Sequence, residues 1–235
     1  MDNNGFLAVV ADSFKKFLQT GSRSNEKLKI LHGAIAKDLV NRLGQGYNIH
    51  SLGIGNGKEQ KISGRYIDKA VDITVSKNGR AVAGVGVKFV MQNYSQNSNN
   101  YFENMLGETA NIRCGNIPYF QIFIIPEKLP YYDKDGNFQK WEIFSEHNSH
   151  KYLVLSKDNI ETSVHTPTKT LLFVVQLPNI ESEISNKKEY KEYYTSISSF
   201  CVQESGMEYG TFDSAVVYND YEEFINKVVH YIQFI

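Results

Sequence analysis

Cysteine is scarce: Cys114 and Cys201 are the only two in 235 residues. They supply neither the paired spacing of a structural zinc site nor a disulfide framework. Excess charge is missing as well, since 25 Lys and Arg stand against 26 Asp and Glu. A formal charge of −1 gives no general attraction for a polyanion, so any affinity for nucleic acid has to come from locally placed groups. Long apolar runs are also lacking. The run nearest the start, Phe6 to Ala11, follows Asp2 without a basic region, and no stretch reaches the length of a bilayer span. A cytoplasmic protein with no membrane association is expected. No linker or internal repeat divides the chain. With 41% hydrophobic residues, 1–235 is expected to fold as a single domain around one substantial core.

Hydrophobic spacing outlines an α/β chain. Residues 6–19 and 25–43 read as helices, the second with Leu28, Leu31, Ile35 and Leu39 on one face and glycines after its end. His32 lies within that face and is expected to be a hydrogen-bonded core histidine; Asp38, at the edge of the face, is a candidate for an auxiliary acidic role. Tyr119 to Ile125, ended by Pro126, and Leu171 to Val175 read as buried strands. Asp135-Gly136 marks a hairpin turn between Tyr131-Tyr132 and the stretch from Phe138 to Phe144. A charged, tyrosine-rich helix is expected within 178–206. A C-terminal helix follows, with Asp220 and Glu223 as a capping box and an apolar stripe from Tyr221 to Ile232. Mixed strands flanked by helices are the economical architecture. The glycine-rich stretch 49–64 lacks the Gly-Lys-Ser/Thr ending of a phosphate-binding loop, and no helix follows it at once. It is expected to be a mobile loop whose Lys58 and Lys61 approach a DNA backbone.

The densest chemistry lies between Val71 and Arg113. Asp72 sits in Val71-Asp72-Ile73-Thr74-Val75, and Lys88 in Val85-Gly86-Val87-Lys88-Phe89-Val90. Between them Lys77-Asn78-Gly79-Arg80 reads as a tight turn, so strands 71–76 and 81–91 should lie antiparallel. A carboxylate in a run otherwise suited to burial is costly without a cation. Glu103 and Glu108 follow on the next expected helix. Carboxylates holding a hard cation, with an ammonium beside them, suit phosphodiester hydrolysis: the cation acidifies water and the ammonium stabilises developing negative charge. The intervening run Asn93-Tyr94-Ser95-Gln96-Asn97-Ser98-Asn99-Asn100-Tyr101 is either a polar loop or a source of amides that touch bases or backbone. Asn93, Tyr94, Gln96, Asn97, Asn99 and Asn100, with Arg113 at the end of the segment, are the DNA-contact candidates.

These residues resemble the PD-(D/E)XK nuclease superfamily, and within it the type II restriction endonucleases. Asp72 matches the first acid and Lys88 the lysine, while Gly86 stands where the middle acid belongs and Val71 where proline often precedes the first acid. Some members place the second metal-binding carboxylate on the following helix; Glu103 is the preferred counterpart here, with Glu108 the alternative. The resemblance implies a restriction-endonuclease-like core, Mg²⁺ held by Asp72 and Glu103 with help from the Val87 carbonyl or Glu108, and water positioned by Lys88. It also implies cleavage of double-stranded DNA at a short palindrome, 5′-phosphate products and a homodimer. Two alternatives stay open: an inactive DNA-binding protein on the same scaffold, with Gly86 marking lost catalysis, and a structure-specific repair or recombination nuclease.

Overall fold

In the computed structural model, which describes residues 1–235, the first two apolar stripes form helices α1 (Asn3–Thr20) and α2 (Glu26–Leu43). Asp2 caps α1 by accepting the Gly5 N–H at 2.8 Å, and α2 stops at Gly44, whose φ of 71° suits a residue without a side chain. Strand β1 (Tyr47–Ser51) and a small hairpin, β2 (Gln60–Ser63) with β3 (Asp68–Val71), come next. Then follow β4 (Ile73–Lys77), β5 (Arg80–Phe89), α3 (Tyr94–Arg113) and β6 (Tyr119–Pro126). A second hairpin, β7 (Lys128–Tyr132) with β8 (Phe138–Ile143), leads into α4 (Glu146–Ser156) and β9 (Lys169–Gln176). The chain ends with α5 (Lys187–Ser196), β10 (Gln203–Glu204), β11 (Val216–Tyr218) and α6 (Tyr221–Phe234).

The main sheet has seven strands in the order β1-β4-β5-β6-β9-β10, with β11 beside the start of β9. It is mixed. β1, β4 and β5 are antiparallel, whereas β5, β6 and β9 run parallel, joined by crossovers that carry α3 and α4. Successive side chains of β6 point to opposite faces. Phe120 meets Tyr231 of α6 at 5.9 Å between ring centroids, while Phe123 meets Tyr152 of α4 at 5.4 Å and Tyr119 reaches α3. Both faces are therefore covered, which explains why β6 is buried along its whole length. The chain has the expected α/β class with a mixed sheet flanked by helices. No helix is long and apolar enough to cross a membrane.

Three expectations change in detail. The glycine-rich stretch is not one open loop, because β1 and β2 occupy its two ends. Its turn is held against α2: Gly53 has φ 79°, and a Cβ there would lie 2.1 Å from the Lys29 carbonyl oxygen. The helix expected in 178–206 is confined to Lys187–Ser196, where Asn186 caps it by accepting the Lys188 and Glu189 N–H groups. Asp38 does not face the strands of the motif; it is buried, accepts hydrogen bonds from Arg42 Nε at 3.1 Å and Tyr221 Oη at 3.0 Å, and ties α2 to α6.

Candidate active site

Asn78 and Gly79 take φ values of 52° and 77°, the positive pair that a tight two-residue hairpin requires. This turn fixes the register Ile73↔Val85, which sets position 72 level with position 86. Asp72 itself belongs to neither flanking strand. β3 pairs with β2 in the small hairpin and β4 pairs with β1 and β5, so residue 72 is the step at which the chain passes from one sheet to the other. That step turns the carboxylate toward β5, where Asp72 Oδ2 accepts the Val87 N–H at 2.7 Å. The Asp72 carbonyl is also held, by Ser51 Oγ at 2.7 Å.

Asp72 and Lys88 open into one cleft of about 560 Å³ that Glu103, Glu108 and Lys69 also line. Burial pushes the Asp72 carboxyl up to about 6; the Val87 N–H works against that rise, and the Glu108 charge adds to it. Burial pulls the Lys88 amine below its ordinary range, and Nζ sits 3.9 Å from the centroid of the Tyr101 ring. The floor of the cleft thus holds a carboxyl whose ionisation is opposed and an ammonium shielded from water. A cation entering beside Asp72 would favour its ionised form, and a phosphate beside Lys88 would favour the ammonium, so the two together would relieve both.

Gly86 has a structural reason. A Cβ at this position would lie 2.3 Å from Tyr119 Oη and 2.7 Å from Gln121 Oε1. Tyr119 is buried, and its hydroxyl donates to Glu108 Oε1 at 2.7 Å, while Glu108 Oε2 pairs with Lys69 Nζ at 2.9 Å. A tyrosine hydroxyl fills the space that a side chain at 86 would need, and through it a carboxylate from α3 is held beside Asp72. Glu108, the alternative in sequence reading, therefore occupies the deeper place. Glu103 is exposed at the rim, with Lys151 as its charge neighbour.

The polar run Asn93 to Tyr101 is not a loop: α3 starts at Tyr94, directly after Asn93 at φ 49°. None of the expected DNA-contact residues lines the cleft. Tyr94 is buried against Phe144, and Asn93 Oδ1 accepts the Tyr132 N–H at 3.3 Å. Asn97 turns back to the Asn93 carbonyl, and Asn99 accepts from Lys151 Nζ at 3.2 Å. Gln96, Asn100, Lys58 and Lys61 are exposed. Arg113 is not a free cation. It donates to the carbonyls of Ser163 at 2.8 Å, Thr166 at 2.5 Å and Ile160, and so pins the loop between α4 and β9. The amides that do reach the cleft are Asn104, Asn111 and Gln121. Of these, Asn111 clamps the tip of the β2–β3 hairpin by accepting the N–H of Tyr66 at 2.9 Å and of Ile67 at 3.2 Å and donating to the Ile67 carbonyl at 2.9 Å.

On the α2 side of Asp72 stand two residues to which sequence reading gave no role in chemistry. His32 is in the core as expected but is not hydrogen-bonded: neither ring nitrogen has a partner in the protein, and Nδ1 is 4.0 Å from Asp72 Oδ1. Glu59, at the end of the turn held down by Gly53, completes a cluster in which one ligand atom from each of His32, Glu59 and Asp72 lies within 4.8 Å of the others. The histidine was visible within an apolar face. Glu59 carried no signal, because its proximity depends on how the β1–β2 turn packs on α2. Comparison with models of protein families, with curated proteins and with solved structures gives no match to this chain.

Proposed function

We propose that the chain is a Mg²⁺-dependent endodeoxyribonuclease, similar in mechanism to type II restriction enzymes, that cuts duplex DNA at a short specific site. The observation that carries this reading is the convergence of Asp72 and Lys88, from consecutive steps of one hairpin, on a single cleft that also holds two carboxylates of α3. The donor set suits a hard cation: the half-buried Asp72 carboxyl makes no ion pair with a lysine, and Glu108 and the Val87 carbonyl offer further oxygens. Bound Mg²⁺ would neutralise the phosphate and acidify water.

The remaining work falls to residues of the chain. Val87 N–H fixes the Asp72 carboxylate in orientation. Tyr119 and Lys69 do the same for Glu108, and Glu103 supplies a further carboxylate at the rim. Lys88, with its amine destabilised as an ammonium by burial, is suited to orient the attacking water and to stabilise charge on the departing oxygen. Gln96, Asn100, Lys58 and Lys61 remain as exposed donors for DNA outside the cleft. A palindromic site read by a homodimer, with 5′-phosphate ends, is the corresponding form of the activity.

The test is incubation of long phage DNA with the purified protein in Mg²⁺, beside Asp72→Ala. Discrete fragments that disappear in the variant support the proposal, and a smear points to a nuclease selecting structure or ends. Intact DNA across metals and substrates overturns it in favour of a DNA-binding protein in which Tyr119 occupies the place of a lost acid.

A further inference from the structure

A neutral imidazole carries one donor and one acceptor nitrogen, and leaving either buried and unpaired costs about 1–3 kcal/mol. His32 is only 1% exposed, and both its nitrogens are unpaired within the protein. The surroundings are not an accidental void. Gly33, the next residue, meets Gly53 so closely that a Cβ would lie 3.0 Å from its carbonyl oxygen, and this contact seats the turn that ends in Glu59. The turn thus brings a second carboxylate up to the ring, within 4.8 Å of its nitrogen and of Asp72. A direct His32–Asp72 bond is absent, since 4.0 Å is beyond hydrogen-bond reach.

We propose that His32, Glu59 and Asp72 form a binding site for a divalent first-row transition ion, with one imidazole nitrogen and two carboxylate oxygens from α2, the β1–β2 turn and the β3–β4 step. Metal–nitrogen and metal–oxygen distances of about 2.0–2.2 Å allow two ligands of one ion to stand up to about 4.4 Å apart. The 4.0 Å between Nδ1 and Asp72 Oδ1 falls inside that span, but only one pair of three donors can stand opposite across an ion, so closing the 4.8 Å cluster takes side-chain movements on the order of an ångström. Burial, and the charge of Asp72, hold the Glu59 carboxyl above its usual range, while burial pushes the His32 ring down to about 4 and keeps its lone pair free near neutral pH. An ion with two positive charges answers all three groups together. The imidazole nitrogen sets the selectivity: it suits Fe²⁺ or Zn²⁺, and Mn²⁺, weakest of the series, accepts it beside two carboxylates, whereas Mg²⁺ keeps to oxygen ligands and water. Asp72 is shared with the cleft, but the ion site stands or falls without reference to DNA cleavage.

The experiment titrates the intact protein, free of DNA, with Mn²⁺ and separately with Mg²⁺, and reads affinity by calorimetry and ligation by the spin-echo coupling between Mn²⁺ and ring nitrogen. Wild type is expected to bind Mn²⁺ with nitrogen coupling and to prefer it to Mg²⁺. His32→Gln should lose the coupling and the preference, and Glu59→Gln should weaken Mn²⁺ by at least about 10-fold, the loss that even an indirect supporter of a ligand produces. Because His32 is in the core, Glu59→Gln on the half-buried turn serves as the variant whose fold is least at risk. Absence of Mn²⁺ uptake, Mn²⁺ bound without nitrogen coupling, or an unchanged affinity in Glu59→Gln would each overturn the assignment.

Discussion

Adding one methyl group at Gly86 should unfold a measurable part of the stability of this protein. The new Cβ would stand 2.3 Å from Tyr119 Oη, about an ångström inside ordinary contact, and the tyrosine has nowhere to retreat because its ring is buried between α3 and β5. Either the strand or the ring has to shift. Overpacking of this kind costs about 1–3 kcal/mol, and moving the hydroxyl off Glu108 sacrifices a hydrogen bond to a charged group, about 1.5–3 kcal/mol more. Gly86→Ala is therefore expected to lose about 2.5–6 kcal/mol in urea unfolding. Tyr119→Phe removes the hydroxyl and with it both the nearest clash and the bond to Glu108. The double variant should then be more stable than the sum of the two single losses by at least about 1 kcal/mol, as for other residues in direct contact. Additive losses, within about 0.5 kcal/mol, would refute the claim that Tyr119 occupies the place of a side chain at 86. A loss below that same margin in Gly86→Ala alone would do so as well.

Other expectations concern charge and clamping. The Asp72 carboxyl is pushed up from an ordinary 3.8 to about 6, so the folded state holds a proton that the unfolded chain releases; the stability this gives is present at low pH and is lost as pH rises through that window. In the presence of a chelator, Asp72→Asn should consequently raise the thermal midpoint near pH 8 by the equivalent of about 1–2 kcal/mol, discounted because a third of the side chain meets solvent, and should have little effect near pH 4. Arg113→Ala removes three hydrogen bonds to loop carbonyls and should destabilise by about 2–3 kcal/mol, with new protease cuts between α4 and β9 and an unchanged affinity for DNA; a selective loss of DNA binding in a stably folded variant would contradict the pinning role. Asn111→Ala should expose the Tyr66 and Ile67 amides to hydrogen exchange while β6 stays protected, and retained protection at the hairpin tip would show that the clamp is dispensable.

Those parts of the fold that depend on nearby residues were legible in the sequence. Asn78-Gly79 specified its own turn, and with it the pairing of β4 and β5 that brings Asp72 and Lys88 together; the continuous apolar runs of β6 and β9 announced their central position. Helix α4 was not visible, because two of its four buried positions are Ser149 and Ser156, which contribute no apolar period. The start of α3 misled for the converse reason. Asn and Ser are weak helix formers, yet Tyr94, Ser98, Met105, Thr109 and Ile112 fall on one buried face, and packing overrides the local preference. In the candidate site, Asp72, Lys88 and the carboxylates of α3 could be named in advance. The ranking of Glu108 and Glu103 could not, since it rests on a tyrosine from β6, and Glu59 could not, since it rests on two glycines touching across α2 and a turn.

The bond between Asp38 and Tyr221 joins residues 183 positions apart, and Phe6 stacks on the same tyrosine at 4.0 Å between ring centroids. On a ribosome, α1 and α2 emerge long before the helix that covers them. At about 5–20 residues per second that interval lasts roughly 10–40 s. Throughout it Phe6 lacks the ring it stacks on, although Phe173 of β9 can reach its edge earlier, so α1 and α2 emerge with an aromatic face that α6 alone completes.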